Sequence, residues 1–391
     1  MIWQESTLGV IADTQLGKML DAKKNEGEFH PYLGNDNVQW DGIDLSEVKE
    51  MRFKDSELSK FALKPGDLLV CEGGDPGRCA IWNLEEEMYY QKALHRVRAH
   101  EDVLDNRFLY YFLVHIGSTQ EIRQYYTGGA TIKHLPAGAL NRVKVRYPDL
   151  ATQRRIADVL SAYDELIENN RRQIKLLEEA AQRLYKEWFV DLKFPGHETT
   201  PIHSGLPEGW EWKHLHEFAD VVMGQSPKSE HYNDEHEGLP FHQGVGSYGK
   251  RYVIDGTFCT QPTRIAKAGS VLFSVRAPVG RLNITKNEII IGRGLAAVNH
   301  HDGKQSFLFY LLKERFFEDD LLGNGAIFSS ITKQELLALS FLIPNPVTID
   351  RFEKITTKID EKIKELDNQG NLLAEARNRL LPKLMSGEIE V

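Results

Sequence analysis

GGATIKHLPAGALNRVKVRYPDL (128–150) and NGAIFSSITKQELLALSFLIPNP (324–346) are two versions of one segment, and their agreement decides the fold. At a constant shift of 196, Gly129 and Ala130 meet Gly325 and Ala326, Leu140 meets Leu336, Val143 meets Leu339 and Pro148 meets Pro344. The same shift holds downstream without a gap, pairing Asp164 with Asp360, Ile167 with Ile363 and Leu184 with Leu380. Upstream the match continues at drifting shifts. Leu8, Ala12, Asp13 and Gly17 meet Leu215, Ala219, Asp220 and Gly224 at 207, and Gly66, Leu69, Gly77 and Arg78 meet Gly269, Leu272, Gly280 and Arg281 at 203. FLYYFL (108–113) meets FLFYLL (307–312) at 199. The drift from 207 to 196 gives the first copy eleven more residues, spread over its loops. Such order, kept across all these segments, marks a duplicated unit whose framework stays in step while its loops differ.

Each copy has two parts. The first (1–150 and 196–346) mixes short apolar runs such as DLLVCE, CAIW, SVLFSV and EIIIG with turns such as Pro65-Gly66, Gly73-Gly74 and Gly128-Gly129. Apolar runs of strand length bounded by turn residues read as a mixed α/β globule. The second part (151–195 and 347–391) is a long helix. Ile156, Leu160, Tyr163, Ile167, Asn170, Ile174, Leu177, Ala181, Leu184 and Trp188 are spaced alternately by four and three, which puts them on one stripe. Phe352, Ile359, Ile363, Leu366, Leu373, Leu380 and Leu384 repeat the stripe, interrupted by Gly370 and Arg377. A single stripe leaves each helix one face to cover, and the other helix is the natural partner. Because the chain must run out along one helix and return along the other, the pair is expected to be an antiparallel coiled coil with a globule at each end. The fold class is therefore α+β, two tandem pseudo-repeats of globule and helix. Asn170 would sit in the seam, where a polar residue fixes register.

Composition bounds the function. At 27% charged and 41% hydrophobic residues the chain is globular, not disordered. No apolar run approaches the roughly 18 residues needed to cross a bilayer, and MIWQESTLGV does not read as a secretory signal, so a cytoplasmic location is expected. Cys71, Cys79 and Cys259 form neither a disulfide framework nor a zinc set and read as small buried residues. The net charge of −9 hides two basic windows. Residues 123–155 hold seven Lys or Arg against Asp149 alone, and residues 250–293 hold eight against Asp255 and Glu288. Two such patches suit the phosphates of a nucleic acid, with the acidic remainder suppressing promiscuous binding.

Near-motifs for chemistry do not hold up. GVGSYGKR (244–251) has the Gly and Lys spacing of a phosphate loop, but Arg251 stands where Ser or Thr should meet Mg²⁺. EHYNDEHE (230–237), with His231, Asp234 and His236, has no apolar framing and reads as a solvated loop; His214/His216 and His300/His301 read as equally ordinary. No Gly-rich loop suited to S-adenosylmethionine and no amino-methyl-transfer motif is present. No catalytic residue and no metal site are expected.

With the repeat established, the chain resembles the specificity subunits of type I DNA restriction-modification systems. The resemblance covers essentially the whole length. It is carried by LPEGWEWKHL (206–215), MGQSP (223–227), RAPVGRLNI (276–284), GRGLAAV (292–298), RLYKEWFVDLKFPG (183–196) and the helices with Asp164 and Asp360. The first copy departs most, since IWQESTLGV lacks the Leu-Pro-x-Gly-Trp opening of the second. The resemblance implies that each globule is a target recognition domain reading one half of a gapped, double-stranded DNA site. It implies paired helices that act as a ruler and dock two methyltransferase subunits, with nuclease/translocase subunits joining. S-adenosylmethionine, ATP and Mg²⁺ would belong to those partners and no cofactor to this chain.

Sequence is read in the major groove by side chains with fixed donor and acceptor patterns, while phosphate contacts position without specifying. The candidates lie on paired Gly-containing loops. GGDPGRC (73–79) answers RAPVGRL (276–282), and TGGATIK (127–133) answers GNGAIFSSITK (323–333). Arg78 and Arg281 occupy equivalent places, which suggests a shared phosphate contact. Lys18 and Gln225 flank the matched Gly17/Gly224 turn, and their difference suits base discrimination. Thr131, Lys133, Arg276, Arg293 and Lys333 complete the candidate DNA-binding set, and Leu160, Tyr163, Ile167, Asn170, Ile174, Leu177, Leu184, Ile359, Ile363, Leu366, Leu373 and Leu380 the interhelix seam. Two other readings remain. A DNA methyltransferase or nuclease in its own right would bind S-adenosylmethionine or cleave with metal as an isolated chain. A coiled-coil scaffold with no DNA role would keep its partners when its loops are neutralised.

Overall fold

Five-residue DLLVC (Asp67–Cys71) is buried along its whole length, and its alternation shows why. Leu68 and Val70 enter one core, which also holds Phe108, Leu109 and Leu113, while Leu69 and Cys71 enter another with Trp82 and Tyr90. Successive strand side chains point to opposite faces, so a continuous apolar run must be covered on both. The computed structural model describes residues 2–21, 25–40, 42–129, 133–316 and 330–391. It divides into two compact units, Met1–Asn169 with Gln369–Val391, and Asn170–Asn368. These units do not end where the sequence segments at 150, 195 and 346 end. Both long helices are shared between them, because each globule packs on the helix halves nearest it in the fold.

In the first unit the middle layer is an antiparallel four-stranded sheet in the order Ala12–Leu16, Leu94–Ala99, Asp67–Cys71, Cys79–Trp82. One face carries the helix Asn106–Ser118, N-capped by Asp105, whose carboxylate accepts from the amides of Arg107 and Phe108. The other face carries a three-stranded sheet, in which Glu28–Leu33 pairs antiparallel with Lys49–Phe53 and parallel with Tyr89–Tyr90. The strand Gln4–Thr7 pairs with Lys144–Tyr147 and so brings the start of the unit beside the entry to the first long helix.

The second unit repeats this plan in register. Its four-stranded sheet runs Ala219–Met223, Leu295–His300, Val271–Ser274, Leu282–Ile284. His300 faces Ala219 as Ala99 faces Ala12, and Leu295 faces Ser274 as Leu94 faces Cys71. The same two-sided burial recurs: Val271 and Phe273 enter one core, Leu272 the other. The outer sheet is larger here, five strands, but keeps its parallel pair, Leu239–His242 with Ile289–Ile291. The three cysteines are free and buried, and burial pushes the Cys71 thiol up to about 11, which makes it an inert packing residue.

The first long helix is Leu150–Tyr185, continued by a π turn at Lys186–Val190, and the second is Pro346–Ser386. Within the first unit Ile156, Ala157 and Leu160 share a core with Leu381, Leu384 and Met385. Within the second, Asn170 donates from Nδ2 to the Leu366 carbonyl at 3.4 Å, and Tyr185, Trp188 and Phe189 lie 4.9–6.0 Å from the ring of Phe352. Numbers rise on one helix as they fall on the other, so the segments are antiparallel. Leu160, Ile167, Asn170, Ile363 and Leu366 are buried, and Tyr163, Ile174, Leu177, Leu184, Ile359, Leu373 and Leu380 are half-buried. Leucines off the stripe are not: Leu166, Leu176 and Leu372 are 50%, 64% and 65% exposed.

One carboxylate on each helix ties it to its globule. In the first unit Tyr111 donates to Asp164 at 2.5 Å, and Arg377 from the returning helix pairs with the other oxygen. In the second, Tyr310 donates to Asp360 at 2.9 Å, and Arg251 from the globule donates to it at 2.6 Å and to Glu178 at 3.1 Å. Tyr111 and Tyr310 are equivalent, as are the two aspartates; the arginine comes from a different part of the chain in each. The interruption of the stripe at Arg377 is thus a salt bridge. Burial, with Asp164 beside it, pushes the Tyr111 phenol up, which keeps it a donor. The Arg251 side chain is only 3% exposed, against 21% for Arg377. Removing one partner of a buried pair costs about 3–5 kcal/mol, and without Asp360 the buried Arg251 keeps Glu178 as its one carboxylate among the described residues and stays out of water. Asp360→Ala should therefore lower the thermal unfolding temperature well beyond Asp164→Ala, whose arginine can reach water. Calorimetry of the two variants checks this; equal shifts would mean that the Arg251 pair is not the stronger constraint.

Candidate nucleic-acid interface

Four segments far apart in sequence meet at one edge of the second unit. MGQSP follows the strand Ala219–Met223, the loop at Gln243 follows Leu239–His242, RAPVGR follows Val271–Ser274, and Gly292-Arg293-Gly294 leads into Leu295–His300. Backbone bonds lock them together. Gly224 N–H donates to Leu295 at 2.9 Å, Gln225 N–H to Ile291 at 2.9 Å, Gly292 N–H to His242 at 2.8 Å, Gly294 N–H to Gln243 at 3.1 Å and Val275 N–H to Gly294 at 2.9 Å. Glycine is needed for this approach: a Cβ on Gly224 would lie 2.1 Å from the Gly292 carbonyl oxygen. The Arg276–Arg281 turn closes through Gly280, at φ +90°, whose N–H donates to Ser274 at 3.0 Å. A left-handed residue there favours glycine. Gln225, Arg264, Arg276, Arg293 and Lys333 are exposed along this edge and its neighbouring loops, and Arg281 is half-buried.

The first unit has the same backbone frame. Gly17 N–H donates to Leu94 at 2.9 Å, Lys18 N–H to Tyr90 at 3.1 Å, Gln91 N–H to Leu33 at 3.1 Å and Gly77 N–H, again at φ +90°, to Cys71 at 2.9 Å. Its side chains differ. Lys18, expected as a base reader, is buried: Nζ donates to Glu57 at 2.5 Å and to the Arg52 carbonyl at 2.7 Å, and lies 4.9 Å from the Phe53 ring centre. An ammonium so engaged ties the outer-sheet strand Lys49–Phe53 to the helix Asp55–Phe61, which carries Glu57, and is withdrawn from DNA. Arg78 likewise departs from the phosphate role expected of it, since Nη2 donates to the Asn35 carbonyl at 2.8 Å and its side chain is 17% exposed. It braces the 33–37 loop. Lys133 is exposed, and Thr131 lies outside the described residues.

Lys92 is the residue that sequence reasoning passed over. It precedes Leu94 by two positions as Arg293 precedes Leu295, and both are exposed. The shift between them, 201, falls between the 203 and 199 blocks, and that would have located the pair. Lys92 and Arg293 are thus exposed cations at equivalent places on the two edges, whereas Lys18 and Arg78 are engaged within the first unit.

The near-motifs resolve into structure. Arg251, at the end of the Gly- and Lys-containing stretch, is inside its unit on Asp360 and Glu178. His242 contacts Ser247 Oγ at 2.8 Å through Nδ1 and Asp255 at 3.0 Å through Nε2. This is a Ser-His-Asp contact order, but the imidazole is wholly buried, and the amides of Ser247 and Tyr248 donate to Gly244 and Val245, not to a would-be oxyanion. The trio ties the 244–255 loop to its strand. His214 and His216 stack at 5.7 Å and meet the carbonyls of Ala338 and Leu337. Among the described residues no three His, Cys, Asp or Glu side chains are grouped to hold a metal ion.

Comparison with known proteins bears on what this edge is for. The family model described as the type I restriction modification DNA specificity domain matches residues 2–179 and again residues 207–380. The chain is 28% identical over 383 residues to the putative type I restriction enzyme MjaX specificity subunit of Methanocaldococcus jannaschii, covering 95% of this chain and 90% of that one. It is 20% identical over 469 residues to the type I restriction enzyme HindI specificity subunit of Haemophilus influenzae, covering 99% of each. The crystal structure of the type I restriction-modification S subunit from M. genitalium superposes with a TM-score of 0.59 at 19% identity, over 98% of this chain and 96% of that one, which shows a common fold.

Exposed cations that meet phosphate weaken binding evenly across sequences when removed, and lower the salt slope by about one each. Arg293→Ala and Lys92→Ala should each do so in a salt titration of duplex binding. Lys18→Met should leave the salt slope unchanged and lower stability instead. A reduced slope for Lys18→Met would put its ammonium back on DNA.

Proposed function

Because the chain belongs to the type I restriction-modification DNA specificity family, with its domain present twice, we propose that each unit reads one half of a two-part DNA sequence through the loop edge described above. The chain is a specificity subunit, and its recognition domains are the two globules. The observation that carries the reading is the duplicated frame bearing different side chains. Two edges with the same backbone hydrogen bonds, one with Lys18 buried and the other with Gln225 exposed, present different donors and acceptors to two half-sites. Direct readout needs this, since bases are told apart by the pattern of groups at their edges.

Selection is the whole contribution of this chain in the proposal. Methyl transfer from S-adenosylmethionine and ATP- and Mg²⁺-dependent cleavage fall to two methyltransferase subunits and to nuclease/translocase subunits that it directs. Relatives named as specificity subunits over nearly the full length support the division of labour. The proposed complex acts on DNA in the cytoplasm. No described helix is long and apolar enough to cross a membrane.

Selection from a library of random duplexes tests the reading, using the full chain with whatever methyltransferase co-purifies with it. The expected outcome is enrichment of two short fixed runs separated by unfixed positions. Enrichment of one uninterrupted run, or binding that follows charge alone, would contradict it.

A further inference from the structure

The two edges exchange a glutamine and a glycine. In the second unit the parallel strands Leu239–His242 and Ile289–Ile291 are in register at His242 and Ile291, and the next residues are Gln243 and Gly292. In the first unit the corresponding strands are in register at Leu33 and Tyr90, and the next residues are Gly34 and Gln91. Each unit thus carries one carboxamide at this step, from opposite members of the strand pair. Neither glycine has a left-handed φ, so backbone strain does not account for them. Space does. A Cβ on Gly292 would lie 2.7 Å from Gln243 Oε1 and 2.9 Å from its Cα, and a Cβ on Gly34 would lie 3.2 Å from Gln91 Nε2. In both units the carboxamide lies over the bare glycine.

We propose that Gln243 and Gln91 are specificity-determining residues, one per unit, each placing its carboxamide against the major-groove edge of an adenine. This rests on the DNA-reading role proposed above and assigns its first base contacts. Gln243 is exposed, and its orientation is set: Ser226 donates to Oε1 at 2.7 Å, and Nε2 meets no acceptor among the described residues. That leaves two N–H donors and the second lone pair of Oε1 for a ligand. Adenine offers an acceptor at N7 and a donor at N6, the pattern a carboxamide matches. Gln91 stands at the wall of a cleft of about 280 Å³ shared with Gly34, Asn35 and Asn37. Directly beyond each step is an exposed cation, Arg293 after Gly292 and Lys92 after Gln91, placed to hold phosphate while the amide reads.

The test is the duplex selection repeated with Gln243→Glu and Gln91→Glu. These near-isosteric changes replace the amide donors with acceptors, and a carboxylate accepts from cytosine N4. Gln243→Glu should reduce the preference for adenine by about 5- to 150-fold at one position of one half-site and move it toward cytosine, with the other half-site unchanged. Gln91→Glu should do the same in the other half-site. Ser226→Ala should weaken the preference at the Gln243 position without changing its base, because it frees the amide to rotate. A wild-type two-part sequence that both Glu variants reproduce unaltered, or that weakens evenly at all positions, would overturn the inference alone. A wild-type chain that selects no two-part sequence would overturn the underlying reading and this inference with it.

Discussion

An apolar stripe on each long helix cannot be left in water, and the rest of the structure depends on covering it. Neither globule closes its core with its own stretch of chain. The first unit needs Leu381, Leu384 and Met385 from the last turns of the second long helix, and Gly387 leaves room for Trp3 at the opposite end of the sequence. The second unit needs Ala181, Tyr185 and Trp188 from the first helix against Phe352 from the second. The aspartate on each helix then fixes rotation about the helix axis, because a carboxylate bonded to Tyr111 or Tyr310 admits one orientation of the globule. Apolar burial supplies the driving force, and the hydrogen-bonded carboxylate supplies the uniqueness.

That arrangement frees the loop edge to vary. The frame common to both units is backbone to backbone, from Gly17 and Gly224 to the neighbouring sheet strands Leu94–Ala99 and Leu295–His300 and from Gln91 and Gly292 to the parallel strand, so side chains can differ between the two edges without changing it. Lys18 against Gln225, and Gly34–Gln91 against Gln243–Gly292, are different surfaces on one scaffold. A specificity subunit requires this: a half-site can change without the fold being renegotiated.

Much of the fold was legible because duplication makes a sequence its own alignment. The shifts of 207, 203, 199 and 196 located strands that pair in equivalent register in the two units, and the four-three spacing picked out helix positions that are buried or half-buried. The site was legible only as loops. Lys18 looked free because its partner Glu57 comes 39 residues later, on a helix that nothing near Lys18 announces. Arg251 looked like a failed phosphate loop because Asp360 is 109 residues away. Arg377 looked like a break in the stripe because its carboxylate, Asp164, is 213 residues earlier. The glutamine exchange was invisible in principle, since a residue that moves to the opposite strand of a pair leaves a mismatch at both aligned positions. Long-range polar pairing and space for a side chain are set by tertiary structure, and periodicity does not carry them.

The most direct measurement of the central claim is a genome-wide map of methylated adenines in the source strain, with and without this gene. The account predicts that deletion removes one motif of two fixed halves separated by an unfixed gap, and leaves all other methylation in place. A map unchanged by deletion, in a strain where a methyltransferase co-purifies with the chain, would contradict it.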